Sequence, residues 1–257
     1  MLKSLDLTGR VAVVIGGTSG IGRTLALGLA EAGADVVATG RRENLVKEVS
    51  AAIEAAGRKS LSVAVDVLSR ASVDALRDAV MKHFRRVDIL LNAAGKIGRK
   101  PTATFPEAEW EETFNVNLTG ALRACQAFYE PLKASGHGRI INIVSLNSYV
   151  SLREVAAYAA SKSALLALPR SLAVEWSAEG INVNAIAPGV FRTDLNKNLL
   201  DSTDRGKELL LRTPMKRFGQ TGELTGAAVL LASDAASFIT GQCIIVDGGF
   251  LASGVNT

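Results

Sequence analysis

The chain has 257 residues, 48% hydrophobic and 21% charged, with 24 glycines and 6 prolines, a composition that excludes disordered and collagenous chains and leaves enough apolar material for one large core. Twenty-nine Lys and Arg against 25 Asp and Glu give a formal charge of +4, spread without the basic block or basic-aromatic stripe of a nucleic-acid binder. Two distant cysteines, Cys125 and Cys243, and two histidines, His83 and His137, form no CxxC, HExxH or GxSxG constellation, so no disulfide framework, metal site or Ser-His-Asp mechanism is expected.

The opening MLKSLDLTGR lacks an apolar run of signal-peptide length, and no stretch reaches the ~18 apolar residues of a membrane span. A cytoplasmic protein without a membrane partner is expected. Apolar, β-branched runs fall at residues 11–15, 35–39, 61–66, 87–91, 139–145, 181–187 and 243–246. Helical patterns alternate with them at 20–32, 43–56, 70–85, 107–134, 155–179 and 222–232. Seven strands and six helices in alternation predict an α/β fold, a doubly wound and mostly parallel sheet covered on both faces, in a single domain over 1–257. Pro169 deletes one backbone hydrogen bond and crowds the Leu165 carbonyl, which predicts one kinked helix at 155–179 rather than two. The long connection 188–221, with a short helical pattern at 207–212, reads as a substrate lid.

The first strand runs into Gly16, Gly17, Thr18, Ser19, Gly20, Ile21 and Gly22 and then directly into a helix. Such a turn is either an empty tight bend or a cradle in which backbone amides and a helix N-terminus meet a pyrophosphate. The second strand ends at Thr39-Gly40-Arg41-Arg42, where NAD-binding folds place a carboxylate for the ribose 2′-hydroxyl. A small residue followed by two guanidiniums favours NADP(H), with NAD(H) still possible. Tyr158 and Lys162 lie four residues apart and share one helix face. An ammonium beside a phenol lowers its pKa from about 10 and makes it a usable acid/base. Ser145, at the end of a predicted strand, can hydrogen-bond a substrate carbonyl that Tyr158 protonates.

These motifs give the chain a specific resemblance, over essentially its whole length, to the short-chain dehydrogenase/reductase family. GGTSGIG at 16–22 resembles that family's TGxxxGxG, Asp66-Val67 its adenine-contact pair, and Asn92-Ala93-Ala94-Gly95 its NNAG. FNVNLTG at 114–120 carries the motif asparagine at Asn117, and Ser145, Tyr158 with Lys162, and PGVFRT at 188–193 follow in the family's order. The resemblance implies a Rossmann-type fold and hydride transfer between NAD(P) and a carbonyl or secondary alcohol. Tyr158 is the implied acid/base, Ser145 orients the substrate oxygen, Lys162 lowers the tyrosine pKa and bonds the nicotinamide ribose, and Asn117 holds a water linking Lys162 to solvent. Asp66 and Val67 are implied at the adenine, Asn92, Ala93 and Gly95 in the adjoining backbone wall, and Pro188, Gly189, Val190 and Thr193 at the nicotinamide end. Ile15 and Ala93 stand where the family has threonine and asparagine, which removes two hydrogen-bonding side chains beside the cofactor.

Within that family the stretches after residue 154 look most like gluconate 5-dehydrogenases and related keto-sugar-acid reductases. Ser145, Asn147, Arg153 and Glu154 are the candidate substrate residues, Arg153 and Glu154 as pocket groups or as rim charges. Lys96, Arg99 and Lys100 either steer an anion or form a solvated surface. A 3-oxoacyl thioester (acyl-carrier-protein) reductase shares the same catalytic motifs, and a non-catalytic NADP-binding sensor shares the fold. A homotetramer is implied by the family and by the two long apolar helix patterns.

Overall fold

Valine- and isoleucine-rich runs with no polar alternation must be covered on both faces, and they form the centre of the computed structural model, which describes residues 3–193, 196–201 and 203–255. The strands are β1 (Val11–Ile15), β2 (Asp35–Thr39), β3 (Ile89–Asn92), β4 (Gly138–Ile143), β5 (Ile181–Pro188) and β6 (Cys243–Val246). They pair in the order β2-β1-β3-β4-β5-β6, every pair parallel. The helices are α1 (Gly20–Glu31), α2 (Glu43–Ala55), α3 (Arg70–Phe84), α4 (Glu107–Phe114), α5 (Gly120–Ser135), α6 (Ala156–Trp176), α7 (Lys197–Leu200), α8 (Asp204–Arg212) and α9 (Thr225–Ala232). Alternate residues of β1 serve two cores. Ala12 and Val14 pack with Leu25 and Leu29 of α1 and Leu231 of α9, while Val13 and Ile15 pack with Leu76 of α3 and Phe128 of α5.

Among the described residues six strands form where the sequence predicts seven. Residues 61–66 run beside β2 but do not build a ladder. Backbone bonds join the two segments only at Val36 N to Lys59 O and Val65 N to Gly40 O, both 3.0 Å. Between them side-chain hydroxyls take over: Ser60 Oγ donates to Val36 O at 2.8 Å, and Thr39 Oγ1 donates to Val63 O. The predicted helix 107–134 is also interrupted. A π-helical turn, Asn115–Thr119, separates α4 from α5. At Pro169 the expectation of one helix rather than two holds, since α6 continues through it. The connection 188–221 carries α7 as well as the expected α8; residues 194, 195 and 202 of it lie outside the described residues.

β1 sits between β2 and β3, so the chain leaves it toward opposite sides of the sheet and opens a crevice at the carboxyl ends of β1 and β3. Among the described residues no helix is long and apolar enough to cross a membrane, and no group of His, Cys, Asp and Glu could hold a metal ion.

Candidate active site

A cleft of about 640 Å³ opens at the carboxyl ends of the strands. Gly16, Thr18, Ser19, Gly20, Ile21, Gly22, Arg41, Arg42, Asp66, Val67, Ala93, Gly95, Ser145, Asn147, Tyr158, Lys162, Pro188, Gly189, Val190 and Thr193 all line it. Asn92, Asn117, Arg153 and Glu154 do not.

At one end the turn after β1 folds tightly against the end of β3. A Cβ on Gly16 (φ +80°) would lie 2.5 Å from Ala94 N, and one on Gly22 2.1 Å from Gly16 O. Gly20 (φ +51°) faces space instead, with Thr193 Cγ2 the nearest atom at 4.0 Å. Ser19, the N-cap of α1, makes no side-chain cap bond, so the first-turn amides of α1 are left for another acceptor. This geometry fits a dinucleotide pyrophosphate. Arg42 reaches back over the turn, Nη2 donating to Ser19 Oγ at 3.1 Å, and Arg41 is exposed beside it. Two cations therefore stand where a 2′-phosphate would lie. Asp66 is fixed by Leu68 N donating to Oδ1 at 3.0 Å. The departures at Ile15 and Ala93 leave the backbone tied, Ala93 N donating to Ile15 O at 2.8 Å.

Asn92 stands behind this wall, its Nδ2 donating to Asn142 Oδ1 at 2.9 Å and to Cys125 Sγ at 3.5 Å. Burial pushes the Cys125 thiol up to about 12, which leaves it inert as a nucleophile.

At the other end Ser145 caps the 3-10 turn Leu146–Ser148, its Oγ accepting from Asn147 N at 3.1 Å. Tyr158 and Lys162 project from the first turns of α6. Lys162 is buried, donates from Nζ to Ile143 O at 2.7 Å, and lies 6.0 Å from the centre of the Tyr158 ring. Desolvation brings its pKa down to about 8. For Tyr158 the outcome differs from the expectation. Desolvation raises the phenol above its ordinary value, while the Ser145 hydrogen bond and the Arg99 guanidinium pull against it. Lys162, directed to a carbonyl, is not among the groups that lower it. Asn117 sits on the π turn and is wholly buried. Its Oδ1 accepts from Lys96 N at 2.7 Å, and its Nδ2 donates to Lys96 O and Ser161 Oγ, both at 2.9 Å. Gly95 is the spacer here, since its Cβ would stand 3.6 Å from Asn117 Oδ1 and 3.7 Å from Lys162 Nζ.

Of the two guanidiniums at this end of the cleft, Arg99 is one of the candidates for steering an anion, whereas the sequence does not single out Arg205. Arg99 and Arg205 line the cleft. The Arg99 pKa is lowered by desolvation first and by the Arg205 charge second. Lys96 and Lys100 are neutralised by Glu112 and Glu109, whereas Arg99 has no hydrogen-bond or ion-pair partner shown among the described residues. Arg153 and Glu154 stand on the rim as anchors for Arg205, whose Nη2 donates to Arg153 O at 2.7 Å and whose Nη1 lies 3.9 Å from Glu154 Oε2. Arg205 escapes sequence reasoning because DRGKE at the start of α8 reads as a solvated helix face.

A family model described as enoyl-(acyl carrier protein) reductase matches residues 15–251. The chain is 40% identical over 255 residues to 2-dehydro-3-deoxy-D-gluconate 5-dehydrogenase of Dickeya dadantii, covering 98% of this chain and 99% of that one. It is 36% identical over 248 residues to gluconate 5-dehydrogenase of Gluconobacter oxydans, with 96% and 97% covered. A crystal structure of a gluconate 5-dehydrogenase from Burkholderia cenocepacia in complex with NADP and tartrate superposes with a TM-score of 0.95 at 39% identity, covering 98% and 99% of the two chains.

Proposed function

The chain belongs to the short-chain dehydrogenase/reductase family and is a nicotinamide-dependent oxidoreductase; from its cleft we propose that it interconverts the ketone and secondary alcohol of a sugar acid, with NADP(H) as the cofactor. The observation that carries the substrate class is the pair Arg99 and Arg205, two guanidiniums lining the cleft, of which Arg99 has no partner shown among the described residues while Arg205 is held by Arg153 O and faces Glu154 at 3.9 Å. Like charges that repel across a cleft are stabilised when a carboxylate lies between them. The Burkholderia cenocepacia relative, crystallised with NADP and the hydroxy acid tartrate, is consistent with that ligand chemistry.

When bound, the nicotinamide supplies or accepts the hydride at the reacting carbon. Ser145 Oγ holds the substrate oxygen and Tyr158 Oη gives it a proton in reduction or takes one in oxidation. Desolvation raises the Tyr158 phenol above its ordinary value, which favours the acid role in ketone reduction. Lys162, brought to about 8 by burial, can pass a proton near neutral pH, and Asn117 fixes the Lys96 backbone beside the cleft. Gly16, Thr18, Ser19, Gly20, Ile21 and Gly22 hold the pyrophosphate, and Arg41 and Arg42 the 2′-phosphate. Asp66 and Val67 meet the adenine, and Pro188, Gly189, Val190 and Thr193 the nicotinamide end. Residues 188–221 act as the lid, bringing Leu200, Arg205 and Leu209 over the substrate. The test is NADPH oxidation with keto sugar acids, neutral keto sugars and 3-oxoacyl thioesters. Preference for the acids, lost in Arg205→Ala, is the expected result; preference for thioesters would replace this reading with the acyl-carrier-protein reductase one, and no turnover of any with the sensor one.

The chain is further proposed to work in the cytoplasm as a homotetramer. Support comes from Val174 on α6 and Ile245 on the edge strand β6, apolar residues 84% and 43% exposed in the single chain. Light scattering at four chain masses is the expected outcome.

A further inference from the structure

Arg99 and Arg205 stand on separate segments, the loop after β3 and the first turn of α8, yet both line the cleft. They are close enough for the Arg205 charge to lower the Arg99 pKa. Like charges brought together repel, so contacts outside the cleft must hold them there. The loop of Arg99 is tied on both sides. Before it, the backbone of Lys96 is bonded to Asn117, and after it Lys100 N donates to Glu154 O at 3.1 Å. Arg205 Nη2 donates to Arg153 O at 2.7 Å. Consecutive carbonyls of one turn, those of Arg153 and Glu154, thus hold both guanidinium segments from outside the cleft lining.

That turn is kept in a costly conformation. Glu154 has φ +68°, left-handed backbone that a side chain disfavours. Arg85, at φ +60°, is the C-cap of α3, where a left-handed residue is usual. Glu154 ends no helix and lies just before α6. Strained backbone away from a helix end persists where its surroundings over-determine it, and here the surroundings are the two bonded carbonyls. The Glu154 carboxylate adds less, since Oε2 is 3.9 Å from Arg205 Nη1 in a partly exposed pair. We propose that Glu154 is a positioning residue: its left-handed backbone presents Arg153 O to Arg205 and its own carbonyl to the loop of Arg99, and so sets the spacing of the two guanidiniums at the cleft. This rests on the reading that the two guanidiniums meet the substrate carboxylate. Preference for acids over neutral ketones then depends on the turn and not on the charge of Glu154.

The test compares Glu154→Gln and Glu154→Gly, which remove the charge and permit the turn, with Glu154→Val, whose branched side chain opposes left-handed backbone. Glu154→Thr, also β-branched, repeats the comparison where the valine variant folds poorly. kcat and KM are measured for a keto sugar acid and the matching neutral keto sugar by NADPH oxidation, and NADPH binding by fluorescence titration. The glutamine and glycine variants are expected to keep the acid preference within about threefold. The β-branched variants lose on the order of 10-fold of it, the scale of one charge-assisted hydrogen bond, through a raised KM for the acid with the NADPH Kd unchanged. In a chain carrying Arg99→Ala and Arg205→Ala, with no guanidinium left to position, Glu154→Val adds no further loss of preference, whereas a packing defect would add to it. A preference that survives the β-branched substitutions, an equal loss in the glutamine and glycine variants, or a further loss in the arginine-free chain overturns the proposal while leaving the carboxylate reading in place. A wild type that does not prefer the acid, or a preference unaffected by Arg99→Ala with Arg205→Ala, overturns the carboxylate reading and this proposal with it.

Discussion

The acid/base chemistry depends on which group wins at the phenol of Tyr158. Desolvation raises its pKa and only the Ser145 hydrogen bond and the Arg99 charge oppose it. Reduction, which starts from the protonated phenol, should therefore be nearly flat up to about pH 7 and bend only where Lys162 titrates at about 8, whereas alcohol oxidation needs the phenolate and should climb through that range and beyond. Arg99→Ala removes a cation that favours the phenolate, so the oxidation limb of the kcat/KM profile should move to higher pH; a shift to lower pH would reverse the assigned sign. Tyr158→Phe should cost on the order of 10²- to 10⁴-fold in kcat at all pH values. At the other end of the cleft, Arg41→Ala with Arg42→Ala should raise the KM for NADPH by roughly 10- to 100-fold, the scale of charge-assisted hydrogen bonds, and leave NADH little changed. The pairing of Tyr158 with Lys162 is legible from spacing, because i and i+4 on a helix share a face, and the place of Ser145 from the end of a predicted strand. The direction of the tyrosine shift is not, because desolvation depends on neighbours brought by other elements.

Local elements were legible where burial follows a simple period and hidden where hydrogen bonding alone decides. The stretch 107–134 keeps a helical pattern throughout, yet Asn115–Thr119 widens into a π turn. The wider turn changes hydrogen-bond partners without changing residue types, and it sets Asn117 against Lys96 and Ser161. Residues 61–66 have the composition of a strand but lie where Thr39 and Ser60 hydroxyls replace ladder bonds. In the proposed lid, α8 packs so closely on α7 that a Cβ on Gly206 would lie 2.0 Å from Leu200 O. Gly206→Ala should therefore force the two helices apart and displace Leu200, Arg205 and Leu209. The expected outcome is a loss in kcat/KM for the ketone on the order of 10- to 100-fold, with the NADPH Kd unchanged. An unchanged kcat/KM would show that the lid geometry does not matter to the substrate.

Across the whole molecule the parallel sheet has a polarity, with the cleft at its carboxyl edge and a charged anchor at its amino edge. There Asp88, wholly buried, accepts from Val11 N at 2.8 Å and from Arg86 Nε at 2.9 Å, with Arg10 at 3.5 Å. Asp88→Ala would strand a strand amide and two guanidiniums that keep partial access to water. It should lower unfolding free energy in urea by about 2–3 kcal/mol, and kcat/KM should be retained in the folded fraction. A loss of activity without loss of stability would contradict this separation of the two edges. The doubly wound architecture, the glycine turn, the arginine pair after β2 and the Ser-Tyr-Lys constellation all follow from residue order, since each depends on periodicity or on contacts within one strand-turn-helix unit. The six-strand limit of the sheet, the π turn at Asn117, the raised phenol, and the meeting of Arg99 with Arg205 at the cleft come from segments far apart in the chain. Their contacts and desolvation exist only once the sheet has brought those segments together.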